Sequence, residues 1–239
     1  MQSKKEKIVV ISGAGISAES GLVTFRDADG LWQKYAVEEL ATPEAFAANP
    51  ELVHRFYNAR RKQAAAASPN AAHLAIASLE QHYQVVVITQ NVDDLHERAG
   101  STQVIHLHGK LCEARSSLNP ELVEYIGDVE LTEHDTAADG SALRPNIVWF
   151  GEEVPAMITA IEEVESADKI LVVGSSLQVY PAASLLSYAH HKAEKVLINL
   201  ESPDFISEYR FLQGKTATEV PKLVASWLGM AAINPTKFV

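Results

Sequence analysis

The chain is predicted to fold as an α/β protein, a Rossmann-like doubly wound parallel sheet carrying a smaller inserted module. Three observations predict it. Apolar, β-branched runs recur along the chain with helical stretches between them, the alternation that builds a parallel sheet covered on both faces. The first run, Ile8-Val9-Val10-Ile11, stops abruptly at Gly13-Ala14-Gly15, as a first strand does when it turns into a helix. Two longer segments, 22–68 and 109–146, break the alternation and read as insertions over one edge of the sheet.

The strands follow in order at 7–11, 84–89 (QVVVIT), 103–107, 169–173 (KILVV) and 195–200 (KVLINL). Several are continuous apolar runs, which suits strands buried on both sides. Helices are expected at 51–66, 70–82, 155–166, 182–191 and 218–228. Pro69-Asn70 opens one and Pro155 another, where a missing N–H costs little. The Rossmann-like domain is therefore assigned 1–30, 69–108 and 147–239, and the small module 31–68 and 109–146. Within 109–146, Asn119-Pro120, Asp139-Gly140 and Arg144-Pro145 mark turns in a polar, irregular stretch.

Bulk properties narrow the function. The 239 residues can bury a real core, and 47% hydrophobic with 21% charged residues is ordinary globular composition. A net charge of −11 argues against sequence-independent grip on nucleic acid. The start, MQSKKEK, lacks an apolar run behind it, and no stretch reaches the ~18 apolar residues of a membrane span. One cysteine, Cys112, leaves no intrachain disulfide. A cytoplasmic location is expected.

Tightly spaced glycines between a strand and a helix are expected to aim backbone N–H groups and a helix N-terminus at one point, which favours a phosphate. G-x-G-x-x-A alone is a weak sign of a dinucleotide. A dehydrogenase would add an acidic ribose ligand about 20 residues on, after a second strand. Here that region is SGLVTFRDADGLWQKY, with no strand pattern, and Glu38 and Glu39 follow no β run.

Gln90-Asn91-Val92-Asp93-Asp94 begins where the QVVVIT strand ends, the end at which parallel sheets bind ligands. Such a cluster can hold sugar hydroxyls and water; it can equally cap a helix through Asn91 or Asp93. His106-Leu107-His108-Gly109 follows the next strand. A histidine at a strand tip, as His108 is, suits general base work. His106 reads as a hydrogen-bonded structural histidine. A metal pair needs further His or Asp ligands, and the later strands end instead in Gly174-Ser175-Ser176 and Asn199-Leu200-Glu201. Gly-Ser-Ser offers backbone contact or merely a turn, and Asn199 with Glu201 can bracket a ribose.

Together these segments closely resemble the sirtuins, the NAD-dependent protein lysine deacylases, and in particular the bacterial desuccinylase/deacetylase subgroup. The matching pieces are GAGISAESG with TFR (13–26), TQNVDDLH (89–96), HLHG (106–109), VWFGE (148–152), GSSLQVYPA (174–182) and NLE (199–201), all in the family's order. The resemblance implies that Gly13, Ala14, Gly15 and Arg26 hold the NAD pyrophosphate, with Gly174, Ser175 and Ser176 near it. It implies that Phe25 covers the nicotinamide ribose, Gln90 and Asn91 bind that ribose and an ordered water, and Asp93 anchors the nicotinamide amide. Asn199 and Glu201 would bracket a ribose, and His108 would be the general base. Val148, Phe150 and Gly151 would pair with the substrate peptide as an added strand. The products would be free lysine, nicotinamide and O-acyl-ADP-ribose.

Tyr57 and Arg60, at i and i+3 on one helix face, resemble the pair of family members that remove succinyl and malonyl groups, and Ala41 resembles the small residue that keeps their pocket wide. An Arg fork with a phenol can bind a carboxylate. The bland alternative is a solvated Arg60–Arg61 face with Tyr57 in the core. Most members carry two pairs of zinc cysteines after the HG motif; with only Cys112 here, no zinc is expected. Leu118, Leu122, Tyr125, Ile126 and Leu131 would then hold the module. Leu22-Val23-Thr24 stands where many members have Ile-Pro-Asp, so weaker NAD affinity at most is expected, without loss of function. Two other functions use the same cofactor: an NAD-binding regulatory protein with decayed catalysis, and protein mono-ADP-ribosyl transfer.

Overall fold

The computed structural model describes residues 5–22, 37–202 and 208–230; Phe25 and Arg26 lie outside the described residues. Six parallel strands form the main sheet: β1 (Lys7–Ser12), β2 (Gln84–Thr89), β3 (Val104–His106), β7 (Lys169–Val173), β8 (Glu194–Asn199) and β9 (Arg210–Gln213). They lie in the order β3-β2-β1-β7-β8-β9, so the strand order reverses between β1 and β7. That is the doubly wound fold expected, with its ligand crevice at the reversal.

Alternate residues of each strand feed two cores. On one face Ile8, Val10, Val85, Val87, Leu171 and Val196 meet α4 (Ala71–Ser78) and α7 (Thr216–Trp227) through Ile76, Val220 and Leu223. On the other, Val9, Ile11, Val86, Ile88, Val172 and Leu197 meet α6 (Met157–Glu165) and a 3₁₀ segment, Ala182–Tyr188, through Ala160, Val164 and Leu185. Asn70 caps α4, its side chain accepting from Ala72 N at 2.9 Å, and no helix of the described residues is long and apolar enough to cross a membrane.

Three details depart from expectation. Residues 182–188 form a 3₁₀ helix in place of an α-helix to 191, and β9 was not foreseen. Its sequence, Arg-Phe-Leu-Gln, lies on an edge and is only half-buried, so it carries no continuous apolar run. Residues 109–146, expected to be irregular, build a three-stranded antiparallel sheet in the order β5-β4-β6: β4 (Gly109–Ser116), β5 (Val123–Tyr125) and β6 (Leu143–Ile147). A register shift between Gly109 and Ala114 disrupts the period-two pattern that would have revealed β4.

The module's core also needs correction. Leu131 is buried and Ile126 packs against the core, but Leu118 and Tyr125 are 81% and 75% exposed. Ala114, Ala137 and Leu143 complete the small cluster around Leu131. Helix α3 (Pro50–Ala66) fastens the module with polar side chains. Buried Arg61 donates from Nε to the Leu111 carbonyl at 2.6 Å and from Nη1 to the Val129 carbonyl at 3.1 Å. Asn58 donates to the Leu131 carbonyl at 2.8 Å and accepts from its N–H at 3.0 Å. Arg61 is thus no part of a solvated basic face. Among the described residues no group of three or more His, Cys, Asp or Glu is placed to hold a metal ion.

Candidate functional site

The carboxyl ends of β1, β2, β7 and β8 converge at the strand reversal. Glycine is needed there because two loops touch. A Cβ on Gly13 would stand 2.8 Å from Ser175 Cα, and one on Gly15 2.8 Å from the Gly174 carbonyl oxygen. Gly174 itself has φ +59° and would place a Cβ 2.3 Å from Ile16 N. The expectation that the glycine amides stand free is corrected: Gly13 N–H donates to the Val173 carbonyl at 3.1 Å and Gly15 N–H to that of Gly174 at 2.8 Å. Helix α1 (Gly15–Ala18) is a single turn. Ala14 is left exposed at the tip of the first of the two touching loops.

Beyond β2 the chain folds into a dense polar knot. Gln90 Nε2 donates to Ser175 Oγ at 3.0 Å, joining the β2 end to the β7 loop. Asn199 Nδ2 reaches the Ser175 carbonyl at 3.1 Å and adds the β8 end. Ser176 is half-buried, and Glu201 is exposed past the end of β8. Asn91 is buried; its Nδ2 donates to Ser17 Oγ at 3.0 Å and its N–H to Thr89 Oγ1 at 3.0 Å. Asp93, also buried, accepts from Leu95 N–H at 3.1 Å, the capping role weighed above. Burial pushes its carboxyl up, while bonds from Leu95 and Ser17 and the charge of His106 pull it back. Ser17 therefore ties Asn91 to Asp93, and nothing in its sequence surroundings marks it out.

The two histidines hold consecutive carbonyls of this turn. His108 Nδ1 lies 3.0 Å from the Gln90 carbonyl oxygen, and His106 Nδ1 3.1 Å from that of Asn91. A carbonyl only accepts, so His108 carries its proton on Nδ1 and presents a lone pair at Nε2. Burial lowers the His108 pKa from its ordinary value, and the Gln90 bond opposes that shift. A neutral, correctly oriented base results.

Helix α3 and the 148–152 segment share an apolar cluster that packs Leu40, Ala41, Val53, Phe56, Ile147 and Trp149 together. Tyr57 is buried and its hydroxyl accepts from Trp149 Nε1 at 3.0 Å, leaving the phenol proton free to be donated. Burial pushes that phenol up to about 12 despite the Trp149 bond, so it stays protonated at any ordinary pH. Arg60 is half-buried; desolvation lowers its pKa, and Tyr57 and Asp93 are the groups that oppose this. The Arg144 guanidinium sits 3.3 Å over the Trp149 ring, and Arg144 and Arg115 both bind Glu152, at 2.7 and 3.1 Å. Trp149 is thus fixed from both sides, a role hidden between the motif residues Val148 and Phe150.

The 148–151 segment is already partly paired. Val148 N–H donates to the His108 carbonyl at 3.0 Å, Trp149 N–H to Glu152 Oε2 at 2.8 Å and Phe150 N–H to the Ala41 carbonyl at 2.9 Å. Phe150 is 52% exposed and Gly151 has φ +89°.

This geometry has close counterparts. The pattern of the Sir2 family matches residues 13–181. An NAD-dependent protein deacylase of Bacteroides thetaiotaomicron is 52% identical over 204 residues, covering 83% of this chain and 87% of its own. One of Helicobacter pylori is 55% identical over 188 residues, 79% of this chain and 82% of its own. The crystal structure of a Sir2 homolog–NAD complex superposes with a TM-score of 0.84 at 42% identity, covering 94% of this chain and 90% of that one.

Proposed function

The chain belongs to the Sir2 family, and on that premise we propose that it is an NAD-dependent protein lysine deacylase that prefers acyl groups ending in a carboxylate, succinyl and malonyl, while still accepting acetyl. NAD is its cofactor, as in the family. The observation that carries the catalytic reading is the 3.0 Å contact of His108 Nδ1 with the Gln90 carbonyl, which leaves Nε2 as a base at the mouth of the cleft.

The residues present fit NAD. Gly13, Gly15 and Gly174 let the two loops pack backbone on backbone, and a pyrophosphate would lie against the exposed tip at Ala14, beside Ser175. Gln90, Asn91 and Asn199 offer amides to sugar hydroxyls, and Asp93 offers a buried carboxylate to a carboxamide. Bound NAD supplies an electrophilic ribose carbon whose bond to nicotinamide breaks. Asn91, tied to Ser17, would orient that ribose, and the apolar cluster around Trp149 would hold the acyl oxygen in line, so proximity would carry much of the first step. His108 Nε2 would then take a proton from a ribose hydroxyl so that its oxygen can accept the acyl carbon, and with one water consumed to release the amine the products would be nicotinamide, free lysine and O-acyl-ADP-ribose. The peptide would pair through the Val148 carbonyl and the Gly151 backbone, since the N–H groups of 148–150 and the Trp149 carbonyl are spent within the chain.

Arg60 and the free phenol proton of Tyr57 support the acyl preference. A hydrogen bond to a charged group contributes about 1.5–3 kcal/mol, one to two decades of selectivity. Arg60→Met should cut desuccinylation about 10- to 100-fold and leave deacetylation nearly intact. Mass spectrometry of matched succinyl- and acetyl-lysine peptides, with and without NAD, reads both rates. Equal losses would reject the acyl assignment; no NAD-dependent mass change in the unaltered protein would reject deacylation itself.

A further inference from the structure

His106 has two close partners, and both can only accept. Its Nδ1 faces the Asn91 carbonyl at 3.1 Å and its Nε2 faces Glu97 Oε1 at 2.8 Å. A ring that donates at both nitrogens carries a positive charge. Glu97 is suited to hold it: burial opposes its ionisation, yet the His106 bond and charge, with Lys110, bring its carboxyl down to about 2. The His106 side chain is 4% exposed, so a charge on this ring would lie inside the protein, next to the Asn91 turn. His108, two residues on, has a backbone carbonyl at Nδ1. The two rings thus differ in their partners: one faces two acceptors, the other faces one.

We propose that His106, charged and held by Glu97, is a positioning residue of the deacylation: it pins the Asn91 carbonyl and keeps a fixed positive charge beside Asp93 and the reacting turn. This rests on the deacylase reading above. The pin acts on the register of the turn. With the Gln90 carbonyl held by one ring and the Asn91 carbonyl by the next, Asn91 and Asp93 cannot rotate away from Ser17 together. The charge acts on ionisation, since it favours the carboxylate of buried Asp93 and opposes protonation of the nearby base. The other charged groups around the ring are Glu97 on α5 (Leu95–Arg98), Lys110 and Glu113 on β4, and Asp93 on the turn; Lys110 lies 3.5 Å from both Glu97 and Glu113. His96, buried behind the turn, is a further neighbour whose ionisation this charge suppresses.

Two measurements test this. Nitrogen-15 NMR of the labelled wild-type protein should show both His106 ring nitrogens protonated at pH 7; a neutral His106 would overturn the proposal whatever the kinetics. For Glu97→Gln and His106→Gln, kcat/KM for NAD should fall about tenfold, KM for the peptide should hold, and the acidic limb of the pH profile should move to higher pH. A uniform loss with an unmoved limb would mark His106 as merely structural and reject the proposal. Circular dichroism checks the fold of both variants, and the wild-type NMR result stands if either fails to fold. A wild-type protein with no NAD-dependent activity would instead reject the deacylase reading and leave the NMR result intact.

Discussion

At the scale of the residue, His108 shows how a backbone carbonyl would prepare the proposed base. The Gln90 oxygen selects the Nδ1–H tautomer, and burial holds the ring neutral below its ordinary range. A base must be unprotonated to act, so activity should persist as pH falls to 6.5 and fail only below it. The pH profile of kcat/KM checks this, and a midpoint above 6.5 in the wild type would contradict it. His108→Ala should cost about 10²–10⁴-fold in kcat, with the fold intact by circular dichroism. The sequence made the motif residues legible because their types are rare in combination. It concealed Ser17, Trp149 and Glu97, whose importance comes from partners 3 to 92 positions away that only folding brings near.

At the scale of the element, burial decided what could be read. KILVV, QVVVIT and KVLINL are covered on both faces, so their apolar runs are continuous and their positions hold to within a residue or two. β9 and the three-stranded sheet are half-exposed or bulged, and their sequences mix polar and apolar residues without a clean period. Helix α3 does double duty: Tyr57 joins the apolar cluster and bonds Trp149, while Asn58 and Arg61 fasten the small sheet. Arg61→Met should strip donors from the buried Leu111 carbonyl and from that of Val129 and destabilise the protein by about 2–4 kcal/mol. Hydrogen exchange should show the loss concentrated in 109–131, with β1, β2 and β7 unaffected. Uniform loosening throughout would show that the clamp is not local.

At the scale of the whole molecule, stability is linked to two buried histidines behind the site. His73 and His96 pack with ring centroids 4.9 Å apart, and burial brings their pKa values down to about 4 and about 3. Both are neutral in the folded and unfolded states above pH 6.5, so they add no pH dependence there. As pH falls below 6.5 the unfolded chain binds their protons first, and stability drops by as much as ~1.4 kcal/mol per pH unit for each ring. Urea unfolding between pH 7 and 5 should lose about one proton of that slope in His73→Gln; an unchanged slope would assign the linkage elsewhere. The stacking of Arg144 on Trp149, with Tyr57 at the indole nitrogen, has an optical consequence. An indole with a cation over its face and a phenol at its N–H emits according to how each is placed, and on the proposed acyl site a chain bound at Tyr57 would disturb the phenol. With Trp32 and Trp227 changed to Phe, this one chromophore would signal loading of the substrate before any bond is broken.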